Sequence, residues 1–182
     1  MRKIAAGLFI SLDGVVEAPD KWTGPYYDDQ VGAAVGALMA VNDAMLLGRT
    51  TYEGFAAAFG GQSGGVADHM NGTPKYVVST TLASAGWQNS TLINGTEEDI
   101  VSQIRELKQQ PGGGIGMSGS SALVRWLLRH GLLDQIDLLL FPVVIGSGQR
   151  LFGETDGQQS LTLTASESFS TGVVHLSYEP AG

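Results

Sequence analysis

The sequence predicts an α/β domain on a mixed, mostly parallel sheet with an antiparallel C-terminal edge. Three observations carry this. Apolar, β-branched runs that end at turn signals alternate with segments of helical period, and each helical segment falls between two such runs. The last two runs, Leu161 to Glu167 and Val173 to Tyr178, are separated only by Ser168-Phe169-Ser170-Thr171-Gly172, which makes them a hairpin. At 182 residues the chain has the length of one domain.

The first strand runs from Lys3 to Leu12 and closes at Asp13-Gly14. Its basic-then-apolar start imitates a secretory leader but reaches that turn with no small-residue cleavage site, so it reads as a buried strand. Asp29 to Val41 sets Val31, Ala34, Val35, Leu38 and Val41 at helical spacing, with Asp28 or Asp29 as N-cap. Ala44 to Leu47 and Tyr76 to Ser79 are the next strands, and Gly60-Gly61 with Gly64-Gly65 between them read as a mobile surface loop. Thr96-Glu97-Glu98-Asp99 opens a helix with a cap and first-turn acids, buries Ile100, Ile104 and Leu107 on one face, and stops at Pro111. Ile115 to Ser118 is the fourth strand. Ser120 or Ser121 then caps a helix over Ala122 to His130, which Gly131 terminates. Ile136 to Ile145, the fifth strand, is apolar on both faces and hence central or at an interface, consistent with a homodimer.

Composition narrows the function. Eighteen acidic against ten basic residues leave a net charge of -8, the wrong sign for neutralising a nucleic-acid backbone. The absence of cysteine excludes disulfides, thiolate metal sites and cysteine nucleophiles, and His69, His130 and His175 are too scattered for a local metal motif, so no metal is expected. No apolar stretch approaches the roughly 20 residues that span a bilayer, and a cytoplasmic protein without membrane partners is expected.

Gly114-Ile115-Gly116-Met117-Ser118-Gly119 fits the spacing of a dinucleotide fingerprint, but Gln109-Gln110-Pro111-Gly112-Gly113 before it is no strand and no acid ends the next one. The same residues read better as a strand followed by the turn Gly119-Ser120-Ser121 into a helix, a place where unpaired N–H groups, hydroxyls and the helix dipole suit a phosphate. A second such corner is Gly48-Arg49-Thr50-Thr51, where Arg49 can fork onto a phosphate, and a third is Ser79-Thr80-Thr81. All three fall at the carboxyl edge of the sheet, where ligands of open α/β folds bind. Ordinary turn chemistry is the alternative for each. Trp22, Tyr26 and Tyr27 lie in an aromatic loop that either stacks on a planar heterocycle or closes the core or an interface. Asp13 either orients ribose hydroxyls and donates a proton, or is the first residue of an Asp-Gly turn.

Ser11-Leu12-Asp13-Gly14, Leu47 to Tyr52, Val78-Ser79-Thr80, Ser118 to Ser121, and Phe141-Pro142-Val143-Val144-Ile145-Gly146-Ser147-Gly148-Gln149-Arg150-Leu151-Phe152 occur in the order expected of the dihydrofolate reductase-like fold. Over nearly its whole length the chain resembles the reductase (C-terminal) domain of the bifunctional riboflavin-biosynthesis deaminase-reductase and its stand-alone bacterial relatives. The resemblance implies a three-layer domain with about seven or eight strands. It also implies NADPH bound across the carboxyl edge and hydride transfer to a small heterocyclic or ribosylated substrate, as in 5-amino-6-(5-phosphoribosylamino)uracil reductase. By that match Arg49, Ser79 and Thr80 hold the 2′-phosphate side. Gly48, Thr50, Thr51, Ser118, Gly119, Ser120 and Ser121 serve the pyrophosphate corner, and Leu12 to Gly14 border the nicotinamide. From the aromatic loop Trp22 and Tyr26 are the candidate substrate-binding residues, Asp13 and Asp29 are the candidate catalytic acids, and Ser118-Gly119 falls where the fold often carries a cis peptide. Two departures stand out: the zinc-binding deaminase signature is absent, and the acid of the folate branch has only Asp28 or Asp29 as counterpart, either of which also suits the helix cap. The alternative readings are a folate- or pterin-type reductase and a nucleotide-binding homodimer without turnover.

Overall fold

A computed structural model describes residues 1–153 and 157–181. The strands are β1 (Ile4–Ser11), β2 (Asn42–Gly48), β3 (Lys75–Val78), β4 (Ser90–Ile93), β5 (Gly114–Met117), β6 (Gln135–Phe141), β7 (Leu161–Ser168) and β8 (Val174–Pro180). The helices are α1 (Asp29–Ala40), α2 (Arg49–Phe59), α3 (Gly65–Gly72), α4 (Glu97–Gln109) and α5 (Ser121–Arg129), and single 3-10 turns occupy Pro19–Lys21 and Gly24–Tyr26. The eight strands form one sheet in the order β4-β3-β2-β5-β1-β6-β8-β7. Pairing is parallel from β4 through β6, and only β8 runs against its neighbours, giving the antiparallel edge.

Alternation along β1 divides the interior. Ile4, Ala6, Leu8 and Ile10 join Ile100, Ile104 and Leu107 of α4 and Leu123, Val124 and Leu127 of α5 in one cluster. Phe9 points the other way, toward Val31, Val35 and Leu38 of α1. Farther along that second face Leu47 and Val77 pack with Tyr52 and Phe55 of α2 and Met70 of α3. The sheet is thus the middle of three layers. Fully buried residues such as Ile4, Leu46, Ile115 and Leu127 each contribute about 1.5 to 3 kcal/mol of transfer free energy.

Differences from the sequence reading have local causes. The strand expected to reach Ile145 stops at Phe141, because Pro142 has no N–H for the ladder and β1 beside it ends at Ser11. β4, four residues at the open edge of the sheet, was not anticipated. The glycine-rich stretch is an irregular surface connection as far as Gly64, whose φ of 96° bends the backbone into α3, a helix from Gly65 that the sequence reading does not contain. The apolarity of β6 on both faces is absorbed within the chain, with Ile136 in the α4/α5 cluster and Leu139 and Phe141 in the α1 cluster. That apolarity therefore carries no argument for a second copy. No helix among the described residues is long and apolar enough to cross a membrane.

Lys75, at the start of β3, is fully buried, with its Nζ 4.2 Å from the centroid of the Trp87 ring. It donates to the carbonyls of Met70 and Thr73, each at 2.7 Å, and to that of Asn71 at 3.4 Å, satisfying the C-terminal end of α3.

Candidate active site

Because β2 and β5 are parallel neighbours, both end at the same edge of the sheet. Gly48, the last residue of β2, is the N-cap of α2 and offers no capping side chain, so among the described residues the first-turn N–H groups of α2 have no capping side-chain acceptor. Ser120, shortly after β5, is the N-cap of α5, its Oγ accepting from Leu123 N at 3.3 Å. The two turns touch through their glycines. A Cβ on Gly48 would lie 2.5 Å from Ser120 Oγ, and one on Gly119, at φ 133°, would lie 2.8 Å from Thr51 Oγ1. Only glycine at both positions lets the helix N-termini come this close. Ser121, the first residue of α5, is buried, with no hydrogen-bond partner for its Oγ among the described residues. Two positive dipole ends and an orphaned hydroxyl in a glycine-lined corner fit a diphosphate.

Arg49 opens α2 on this edge, exposed and without a hydrogen bond or ion pair among the described residues; Thr50 is exposed beside it and Thr51 half-buried. The neighbouring strand end is β3, with Val78 in register with Gly48, so the turn Ser79-Thr80 follows at the same edge of the sheet, one strand over from Arg49. Ser79 is corrected as a ligand candidate. It is buried, and its Oγ accepts from Thr81 N at 3.2 Å and Leu82 N at 3.1 Å, so it shapes the turn and leaves the exposed Thr80 as the hydroxyl at the surface. Ser118 is exposed, and the cis peptide lies between Gly119 and Ser120 rather than at Ser118-Gly119, one bond later than expected.

At the end of β1 the exposed Leu12 and the turn glycine Gly14 (φ 84°) flank Asp13. The Asp13 carboxylate accepts from Ile145 N at 3.0 Å, from Ser11 Oγ at 2.7 Å and from Gly146 N at 2.8 Å. These donors hold its carboxyl well below the usual carboxylate range, the Ile145 N–H contributing most, so Asp13 stays ionised near neutrality and is corrected as a proton donor. Asp29 is corrected as well. Asp28 is the N-cap, its Oδ1 accepting from Gln30 N and Val31 N at 3.0 Å each, and Asp29 projects from the first turn into solvent. The α1 residue that turns inward there is Val31.

Trp22 and Tyr26 stand edge-on to Phe141, with centroids 5.6 and 6.3 Å away, and Trp22 Nε1 donates to the Glu17 carbonyl at 2.9 Å. They close the α1 side of the core, as the core-closing alternative required, while staying half-exposed at the rim near the end of β6. Glu17 was overlooked in the sequence. Its Oε2 accepts from Gln149 N at 2.7 Å, a contact with a residue too distant in the chain to be foreseen. Among the described residues no cluster of histidine and acidic side chains could hold a metal.

The sequence model of the RibD C-terminal domain matches residues 2–175. The chain belongs to the RibD C-terminal domain family. Two curated relatives from Bacillus subtilis (strain 168) are the uncharacterized proteins YyaP, 33% identical over 57% of this chain but only 53% of its own length, and YwjB, 27% identical over 94% of this chain and 95% of its own. Among solved structures, a diaminohydroxyphosphoribosylaminopyrimidine deaminase/5-amino-6-(5-phosphoribosylamino)uracil reductase from Thermotoga maritima superimposes with a TM-score of 0.69 at 14% identity, over 99% of this chain and 57% of that one. The Enterococcus faecalis dihydrofolate reductase complexed with NADP(H) and RAB-propyl gives 0.63, also at 14% identity, over 99% and 97%. At these identities the RibD C-terminal domain chain shares the dihydrofolate reductase-like fold with both.

Proposed function

We propose that the protein is an oxidoreductase that binds NADPH along the carboxyl edge of β3, β2 and β5 and reduces a small planar heterocycle, in the manner of the riboflavin-pathway reductases. The meeting of the α2 and α5 N-termini through Gly48 and Gly119, with the orphaned Ser121 hydroxyl in the first turn of α5, carries this reading. Thr50, Thr51, Ser120 and Ser121 hold the pyrophosphate, and Arg49 with Thr80 meets the 2′-phosphate. Leu12 and Gly14 border the nicotinamide, which when bound supplies a hydride. Trp22 and Tyr26 form the apolar rim against which a flat substrate is oriented and water excluded. Neither Asp13 nor Asp29 is placed to give the accompanying proton, so the proton comes from solvent at the mouth. The same observation favours, as the second reading, a nucleotide-binding module without turnover. A homodimer is proposed to form along β7, an eight-residue strand whose outer backbone edge pairs with no other strand among the described residues.

Arg49→Ala tests the cofactor assignment. A charge-assisted bond to phosphate contributes about 1.5 to 3 kcal/mol, and solvent screening at an exposed arginine puts the effect at the lower end, so NADPH affinity falls roughly tenfold while NADH affinity is unchanged. Equal losses for both cofactors would refute a 2′-phosphate contact. NADPH oxidation with ribosylaminopyrimidines, pterins and simple carbonyls decides the substrate class, and binding without oxidation of any of them would establish the second reading.

A further inference from the structure

The segment 142–150 that follows β6 is attached to the end of β1 in two different ways. Its two ends are held by main chain. Leu12 N donates to Val143 O at 2.9 Å, and at the other end Val16 N donates to Gln149 O at 2.9 Å and Leu151 N to Gly14 O at 3.0 Å. Its middle, and its far end a second time, are held by carboxylates. Ile145 and Gly146 aim successive N–H groups at the Asp13 carboxylate, and Gln149 N–H meets Glu17 Oε2. Two consecutive N–H groups on one anion form a nest, with Gly146 at φ 82° supplying the bend. Arg150 Nε donates to the Asp13 carbonyl at 2.8 Å, fixing the same residue from its main-chain side. Within the loop, the Ile145-Gly146 apex therefore has its position set by one side chain.

We propose that Asp13 is a positioning residue, with Glu17 as a second hold: its carboxylate fastens the apex of loop 142–150 against the turn after β1 and so sets the rim of the nicotinamide end of the site. This rests on the cofactor reading above, because only that reading puts the nicotinamide beside Leu12 to Gly14. Asp13 acts through the loop and touches no reacting atom. The adenosine end lies at Gly48, Arg49 and Ser120, on strand ends that Asp13 does not contact, so the two halves of the cofactor respond differently to its loss.

The experiment compares wild type with Asp13→Asn, Asp13→Ala, Glu17→Ala and Glu17→Gln. Per-residue amide exchange by NMR reads the clasp without any ligand. Asp13→Asn places an amide donor against one of the two N–H groups, so Ile145 and Gly146 exchange at least tenfold faster. Glu17→Ala does the same for Gln149 alone, and Glu17→Gln, whose amide oxygen still accepts, restores slow exchange there. Binding of adenosine 2′,5′-bisphosphate, the adenosine end by itself, stays within threefold of wild type in Asp13→Asn, while NADPH weakens about tenfold, the loss of one charged hydrogen-bonding arrangement. A general loss of structure would lower both affinities equally, and that result overturns the proposal, as does unchanged exchange at Ile145 and Gly146. Wild-type protein that binds neither ligand would overturn the cofactor reading and the positioning role with it, while the exchange data still report whether the clasp exists.

Discussion

Gly48→Ala tests the central geometric feature of the site without any ligand. At φ -77° and ψ 159° the backbone of Gly48 suits alanine, and removing a glycine's freedom from the unfolded chain would by itself stabilise the protein by about 0.4 to 1 kcal/mol. The new methyl, however, would sit 2.5 Å from Ser120 Oγ and 3.2 Å from Ser120 Cβ. Ser120 is an N-cap fixed between β5 and α5, so the overlap is relieved only by parting the two turns, an overpacking cost of about 1 to 3 kcal/mol. The net expectation is a loss of about 1 to 2 kcal/mol, which for a chain this long lowers the melting temperature by roughly 2 to 8 °C. Ser120→Gly supplies the control. Glycine is a serviceable N-cap, so the single change costs a few tenths of a kcal/mol, yet it deletes both clashing atoms and leaves only Ser120 N, at an ordinary 3.4 Å. In the double variant Gly48→Ala should become neutral or stabilising, a coupling of about 1 to 3 kcal/mol in urea unfolding. Additivity within about 0.5 kcal/mol would refute the direct contact of the two turns.

Lys75→Met keeps the packing on Trp87 but takes the Lys75 donor from the Met70 and Thr73 carbonyls, while that of Asn71 still accepts from Asn89 Nδ2 at 2.9 Å, and equilibrium unfolding should show a loss of about 1 to 3 kcal/mol. Acid sensitivity follows from Asp13 and Asp99, both held below the usual carboxylate range, Asp99 first by the N–H of Thr96. A carboxyl lowered in the folded state contributes stability above its unfolded value near pH 4 and loses it as the pH falls through the lower folded value. Urea midpoints should therefore hold from pH 7 to about 5 and decline below 4, with a shallower decline in Asp13→Asn; an equally steep decline in that variant would refute the assignment.

What the sequence disclosed and what it withheld divide along the range of the interactions. Val31, Val35 and Leu38 fall on one face of α1 as their spacing requires, and the box at Thr96 and Asp99 is a four-residue pattern that forms as written, with reciprocal bonds of 3.2 and 2.9 Å. The corners at Gly48 and Gly119 were visible because each is a strand end followed within a few residues by a glycine and hydroxyl side chains. Asp13 was misleading because Asp-Gly is a complete local explanation, whereas its actual partners, Ile145 and Gly146, come from the far side of the chain. Asp29 was overvalued for the same reason: nothing local distinguishes the acid that caps from the one that follows it. Ser79 reads as a ligand by type, and only its burial and its two bonds to Thr81 and Leu82 show that it is used up by the turn. β4 begins with Ser90 and Thr91 and offers only Leu92-Ile93 as an apolar run, too weak a signal for a strand, and Gly64-Gly65 concealed α3 by marking a break where a helix begins.

The placement of β2 beside β5 bears on how the protein acquires its site. Everything from α2 through α4 intervenes in sequence between the two turns that Gly48 and Gly119 bring together, so their meeting closes one of the long loops of the chain. Long-range parallel pairings of this kind are slow, because loop-closure entropy is lost before the contact is gained. On a ribosome the first half of the corner, Gly48 to Thr51, emerges well before Gly119 and Ser120, the residues it packs against. The chain thus has no partly competent stage: the corner exists only once the central strands have come together.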